Sequence, residues 1–221
     1  MFVSVLGIDP GLTRCGYGVV KRDQRTVDFH SVGVFTTSPQ EQISQRLAEM
    51  HRDITALIKE VEPQEIAIER VLFQANVSTA MSVAQVSGLV HAIAAEFSIP
   101  VTEYSPTEVK NAITGDGRAD KQAIQAMVTK LLGLSKVPQP ADAADALAIA
   151  MTHAFSLHSK KSSSDSSDSA IYNGGKLHNA IADAILRQGK KEQVREPVER
   201  ETHSREPHRR ERTRRRSGLS R

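Results

Sequence analysis

Apolar and polar residues alternate with a period of two along the first third of the chain, a pattern typical of β-strands. Turn residues separate three segments rich in Val and Gly, which are predicted as strands over 2–8, 16–22 and 27–35. The apolar spacing then becomes helical. It predicts a helix that opens at Ser38-Pro39, with Pro39 in its first turn, and stops at Glu62-Pro63.

From residue 65 onwards, short apolar segments alternate with longer helical ones. Strands are predicted over 65–71 and 100–105, and helices within 77–97, from 106, over 119–134 and over 140–155. The helix at 106 follows the sequence Ser-Pro-Thr-Glu, which is a capping box. Three strands and a helix, followed by alternating strands and helices, predict a mixed α/β sheet with helices on both faces.

The composition changes abruptly at Ser159, where a Ser-rich linker begins and is followed by an Arg-rich segment with almost no apolar residues. Residues 1–158 hold 13 basic and 17 acidic side chains, whereas 159–221 hold 16 and 9. We therefore predict one folded domain over 1–158 and a disordered basic tail over 159–221. The net charge of +3 comes from the tail.

The cysteine content and the distribution of apolar residues indicate where in the cell the protein is located. Cys15 is the single cysteine, so no internal disulfide can form, which fits a reducing environment. The apolar start lacks a preceding basic region and a following cleavage site, so no signal peptide is predicted. No apolar stretch approaches the ~18 residues that span a bilayer. We expect a cytoplasmic protein with no membrane contact.

Four carboxylates lie beside apolar runs of the predicted domain. Asp9 ends the first strand directly before a Pro-Gly turn, and Glu69 ends the fourth strand. Asp142 and Asp145 are three residues apart near the start of the last helix, so they share one face. Buried like charges are costly unless a cation neutralises them. Oxygen ligands favour Mg²⁺ or Mn²⁺ over zinc, and paired ions of this kind support phosphoryl displacement.

Each acid taken alone has a simpler explanation. Asp9 could belong only to an Asp-Pro-Gly turn, and Asp142 could cap its helix. Glu69 could pair with Arg70 or with a distant lysine. The conjunction of all four favours the metal site, because each acid borders an apolar run on an element that can enter one sheet.

Four segments of the chain resemble the RuvC family of Holliday-junction resolvases: "LGIDPGLTRCGYGVV", "IAIERVLFQANVSTA", "GDGRADKQAIQAMV" and "PADAADALAIAMTHA". The resemblance covers about residues 1–156. It implies a ribonuclease-H-like fold, with a mixed five-stranded sheet flanked by helices, in a homodimer. It also implies Mg²⁺-dependent nicking of two opposed strands of a four-way DNA junction, and a partnership with a branch-migration motor of the RuvA and RuvB type.

The resemblance also implies roles for individual residues. It implies two Mg²⁺ ions per subunit, replaceable by Mn²⁺, on the catalytic acids Asp9, Glu69, Asp142 and Asp145. Among the basic residues, Lys110 and Lys121 match lysines that contact phosphate or assist catalysis, and Arg118 is a candidate phosphate contact. The position that opens the junction falls on Leu72, where an aromatic is common, with Phe73 next to it.

Two other functions stay open at this point. An ATP-binding phosphotransferase of the actin superfamily also begins with a strand, an Asp and a Gly-rich hairpin, but it needs a second such domain, which is not visible in the sequence. A non-catalytic junction-binding protein would gain nothing from acids that face phosphates. Gly16 and Gly18, inside the second strand, could mark a close approach of DNA or only a bulge.

Overall fold

The computed structural model describes residues 2–23, 26–71 and 77–162; within the last range, side chains are described for 80–157. The elements in these ranges are β1 Val3–Asp9, β2 Arg14–Arg22, β3 Val27–Thr36, α1 Ile43–Val61, β4 Glu65–Glu69, α2 Val77–Glu96, β5 Val101–Tyr104, α3 Pro106–Thr114, α4 Lys121–Leu131 and α5 Ala141–Ser162. Within them, no helix is long and apolar enough to cross a membrane.

The strands form one mixed sheet in the order β3-β2-β1-β4-β5. β1, β2 and β3 are antiparallel neighbours, whereas β4 and β5 extend the sheet in parallel from β1. The predicted mixed five-stranded sheet is confirmed. Because β1 and β4 are adjacent and parallel, their carboxyl ends lie side by side at one edge of the sheet.

Each face of the sheet carries its own hydrophobic core. Leu6 and Ile8 of β1 pack with α1 and α2 on one face. Val5 of β1 and Ala67 of β4 pack with α3, α4 and α5 on the other. Since successive strand residues point to opposite faces, Asp9, which follows the parity of Val5, belongs to the α5 face. The same parity places Glu69 there with Ala67.

A row of glycines lets α5 lie directly against the sheet. A Cβ on Gly7 would lie 2.6 Å from the Ala150 nitrogen, and one on Gly18 would lie 2.8 Å from Leu147. A Cβ on Gly16 would overlap the carbonyl group of Asp142. Any side chain at these positions would push the helix away. The close approach at Gly16 and Gly18 is thus made by α5, and the register shift of β2 falls instead between Val19 and Val20.

The helix boundaries differ from the predictions at several ends, and α4 is shorter at both ends than the predicted 119–134. The capping box forms at Ser105 and Glu108, as predicted. The prediction that the first helix opens at Pro39 is wrong, because residues 39–41 form turns and α1 begins at Ile43. α5 continues to Ser162, four residues beyond the predicted domain boundary. The predicted tail otherwise lies outside the described residues.

Candidate active site

Two of the predicted acids come from the carboxyl ends of neighbouring strands. Ile8 pairs with Ile68 in the parallel ladder, so Asp9 and Glu69 are the next residues of β1 and β4. Both side chains lie on the α5 face by strand parity and both are half-buried. Among the described residues no ion pair joins Glu69 to Arg70, whose Nε lies 3.6 Å from Glu103 Oε2.

The other two acids come from the first turns of α5. Asp142 and Asp145 are half-buried and face the end of β1, because α5 lies on the glycine row. One carboxylate oxygen from each of Asp9, Asp142 and Asp145 lies within 4.8 Å of the others. The structure therefore brings three of the four predicted acids into one cluster, drawn from two distant parts of the chain. Glu69 is outside this 4.8 Å group but next to it.

Burial and mutual repulsion disfavour the charged forms of the strand acids. Burial, followed by the charges of Glu69, Asp145 and Asp142, raises the pKa of Asp9 to about 7. Burial and the Asp145 charge also raise the pKa of Glu69, although Lys121 opposes the shift. The cluster is thus short of positive charge in the absence of a bound cation.

Two basic side chains reach the acids of α5. Lys121 Nζ lies 2.6 Å from Asp145 Oδ2, and this hydrogen bond is the largest cause that raises the pKa of Lys121. Arg14 Nε lies 2.7 Å from Asp142 Oδ2. Lys121 was a sequence prediction, whereas Arg14 was missed. Strand parity alone places Arg14 on the same face of β2 as Gly16, but only the structure shows that Asp142 lies against that face.

A cleft of about 250 Å³ opens beside the cluster, between α3, α4 and α5. Its polar lining brings together Glu69, Lys110, Lys121 and Asp145, so both predicted lysines lie near predicted acids. Arg118 is exposed in the loop before α4, and it does not line this cleft. Leu72 and Phe73 lie outside the described residues.

Three further residues have structural explanations. His153 is buried, and its Nδ1 lies 2.9 Å from the Tyr104 hydroxyl, away from the acid cluster. Cys15 is fully buried as a free thiol, and burial raises its pKa to about 12, so it behaves as a small apolar residue. His91 lies 3.1 Å from Glu103 on the surface.

The donor set fits a hard divalent cation. The cluster offers carboxylate oxygens and neither sulfur nor imidazole, which is the ligand chemistry of Mg²⁺ and Mn²⁺. The raised pKa of Asp9 has the same physical origin, since several negative groups share a partly desolvated space. A cation of charge +2 would remove this repulsion.

Comparison with known proteins assigns the chain to a family. The family profile described as crossover junction endodeoxyribonuclease RuvC matches residues 5–153. The chain belongs to the RuvC family. The RuvC protein of Pseudarthrobacter chlorophenolicus is 52% identical over 156 residues, which cover 70% of this chain and 81% of that protein. The Salinispora arenicola RuvC protein is 46% identical over 178 residues, covering 79% of this chain and all of its own length.

Solved RuvC structures share the fold. The T. thermophilus RuvC, solved in complex with a Holliday junction substrate, superposes with a TM-score of 0.68 at 36% identity. The match covers 72% of this chain and 96% of that one. The ribonuclease-H-like architecture expected of the RuvC family is therefore present, and the actin-superfamily alternative is set aside.

Proposed function

We propose that this protein is an endonuclease that resolves four-way DNA junctions by nicking two opposed strands at symmetric positions, in recombination and DNA repair. The observation that carries the proposal is the acid cluster at the sheet edge, in a chain that belongs to the RuvC family. A protein that only bound junctions would be weakened by carboxylates placed near phosphates. Bound cations would neutralise the negative charge of the cluster and so remove this disadvantage.

The proposed cofactor is Mg²⁺, two ions per subunit, with Mn²⁺ able to replace it. Asp9, Asp142 and Asp145 would hold the ions, and Glu69 would complete the set from the adjacent strand. When bound, such ions activate a water molecule and stabilise the charge that develops on the phosphate oxygens. Asp9 is the best candidate to serve both ions, because it belongs to the three-acid cluster and lies beside Glu69.

Three basic residues are assigned to contacts with the DNA phosphates. Lys121 is 53% exposed while its Nζ stays on Asp145, so it can reach both the acid and an incoming phosphate. Lys110 lines the same cleft from α3. We assign both lysines to phosphate binding, with Lys121 also stabilising charge during strand cleavage. Arg118, exposed before α4, is assigned to the phosphate backbone further along the junction.

The junction-opening role is assigned to the segment after β4. Leu72 aligns with the position that inserts at the junction, and Phe73 offers an adjacent apolar ring. They stand three and four residues after Glu69 in the chain, so a side chain inserted there would hold the bases close to the proposed metal site. Variants at the two positions would separate the roles of Leu72 and Phe73.

A homodimer would place two such sites on opposed strands. The surface of α2 supports this proposal, because Met81 is 52% exposed and a Cβ on Gly88 would contact nothing. An apolar helix face of this kind favours packing on a second copy.

The dimer would work with a branch-migration motor of the RuvA and RuvB type. Both would act in the cytoplasm, a reducing compartment that suits the free thiol of Cys15.

The decisive experiment compares a synthetic four-way junction with linear duplexes that carry the same arm sequences. In Mg²⁺ we expect paired nicks in opposed junction strands, no cutting of the linear duplexes, and no cutting of either after EDTA is added. Denaturing gels of end-labelled strands would locate the nicks. Tight junction binding without nicks in either Mg²⁺ or Mn²⁺ would support the non-catalytic alternative instead.

Replacement of Lys121 by alanine is expected to reduce single-turnover junction nicking by about tenfold to a hundredfold. The substitution removes an ammonium group whose Nζ lies 2.6 Å from Asp145 Oδ2, on a side chain that lines the cleft. The matched control is Lys130→Ala, which removes an exposed lysine from the last turn of the same helix. Equal nicking rates for the two variants would refute the assignment.

A further inference from the structure

Arg14 makes an ion pair with one acid of the proposed metal site. It is the first residue of β2, and its side chain points to the α5 face with Gly16. Its Nε lies 2.7 Å from Asp142 Oδ2, the length of a strong charge-assisted hydrogen bond. The Arg14 side chain is 48% exposed and that of Asp142 is 28% exposed, so the pair lies at the rim of the cluster.

The surroundings restrict this pair to one arrangement. The glycine row fixes the distance between α5 and β2, because Gly16 has no Cβ and lies against the Asp142 backbone. Arg14 pairs with Thr36 of β3 at the end of the antiparallel ladder, so the β2–β3 pairing sets its backbone. A guanidinium presented from such a rigid strand selects one rotamer of the opposite carboxylate. The contact involves Asp142 Oδ2, so it does not itself occupy Oδ1.

We propose that Arg14 is a positioning residue of the metal site, which holds the Asp142 carboxylate in the orientation that binds a divalent cation. The inference deepens the proposed function and depends on the metal site assigned there. Hydrogen bonds to ligating carboxylates commonly fix their direction, and losing such a partner typically weakens metal binding by 10- to 100-fold.

A purely electrostatic role makes the opposite prediction. Arg14 carries a positive charge close to the proposed cation, and this charge alone would repel the cation. If charge dominated, removal of Arg14 would tighten metal binding. If orientation dominates, removal weakens metal binding even though a repulsive charge is lost. The sign of the change therefore distinguishes the two roles.

The test measures Mn²⁺ binding to the full chain without DNA, from the electron paramagnetic resonance signal of free Mn²⁺. Arg14→Gln is expected to raise the Mn²⁺ dissociation constant by about tenfold. Arg14→Lys keeps a charged donor and is expected to recover part of the loss. Arg52→Ala, which removes an exposed arginine of α1, is the matched control and should bind Mn²⁺ as the wild type does. Thermal melts verify folding.

A double-mutant cycle ties the effect to Asp142. In an Asp142→Asn background, Arg14→Gln should change the Mn²⁺ dissociation constant by less than about twofold, because the carboxylate it orients is gone. Unchanged or tighter Mn²⁺ binding by Arg14→Gln alone, or an equal loss in both backgrounds, would overturn the inference. If the wild type bound no Mn²⁺, the metal site itself would fail, which is a different outcome from failure of Arg14.

Discussion

Asp9→Asn is expected to abolish nicking of a four-way junction, by a factor on the order of 10³ or more, while junction binding persists. Asp9 is the acid that lies both in the three-acid cluster and beside Glu69. The amide is nearly the same size but carries no charge, so it is a poor ligand for a hard cation. Several kcal/mol of transition-state stabilisation would be lost, at about 1.4 kcal/mol for each tenfold change in rate.

The stability of the Asp9→Asn variant provides an independent readout. Burial and three neighbouring acids raise the pKa of Asp9 to about 7, so its negative charge opposes folding when no cation is bound. A neutral side chain removes that repulsion, and the melting temperature in EDTA is expected to stay equal or rise. A variant that is inactive yet equally stable cannot have lost activity through unfolding.

The matched control is Asp28→Asn, which removes an exposed carboxylate from β3, an edge strand two strands away from β1. It should nick the junction at the wild-type rate. Single-turnover nicking with saturating enzyme, together with junction binding in Ca²⁺, measures chemistry and affinity separately. Substantial cutting by Asp9→Asn in Mg²⁺ would contradict the metal assignment.

The acids could be found from the sequence because each has a local cause. A strand of apolar residues that ends on a carboxylate, as at Asp9 and Glu69, delivers the charge to the end of the sheet. Acids three apart in a first helical turn, as at Asp142 and Asp145, share a face. The structure adds that β1 and β4 are parallel neighbours, and this pairing brings the first two acids together.

The contacts between distant elements could not be found in the same way. The sequence shows that Gly16 and Gly18 lack side chains, but it does not show what fills the space. In the structure this space holds α5, which is 123 residues or more from these glycines along the chain. The Arg14 pair with Asp142 depends on that docking. Local pattern therefore predicted the four acids but not the contact of Arg14 with Asp142.

The start of α1 was misplaced for a related reason. Pro39 suits a first helical turn by its fixed φ, and this local preference predicted the helix there. In the structure the chain first closes a turn, with Thr37 Oγ1 donating to the Leu12 carbonyl and Arg46 Nε donating to Thr37 Oγ1. These long-range hydrogen bonds hold the segment before Ile43 and override the local preference.

Gly16→Ala is expected to destabilise the protein by about 2–3 kcal/mol and to lower junction nicking by about a hundredfold. A Cβ at this position would lie 2.7 Å from the Asp142 carbonyl carbon and closer still to its oxygen. Neither backbone can yield without moving α5 from the sheet, because both belong to regular elements. The shift would carry Asp142 away from Asp9, and a displacement of about 1 Å is enough to cost this much rate.

The control for Gly16→Ala is the same substitution at Gly88, which lies in the middle of α2 where a Cβ would contact nothing. Alanine is favoured over glycine in a helix by about 1 kcal/mol, so this variant should be equally or slightly more stable. Because Gly88 lies on the α2 surface assigned to the homodimer, it is the control for stability, and Asp28→Asn is the control for nicking. Urea unfolding and single-turnover nicking measure both effects. If Gly16→Ala behaved like Gly88→Ala, the close contact of α5 with β2 would not be what holds the acids together, and the explanation of the site from strand parity and glycine spacing would fail with it.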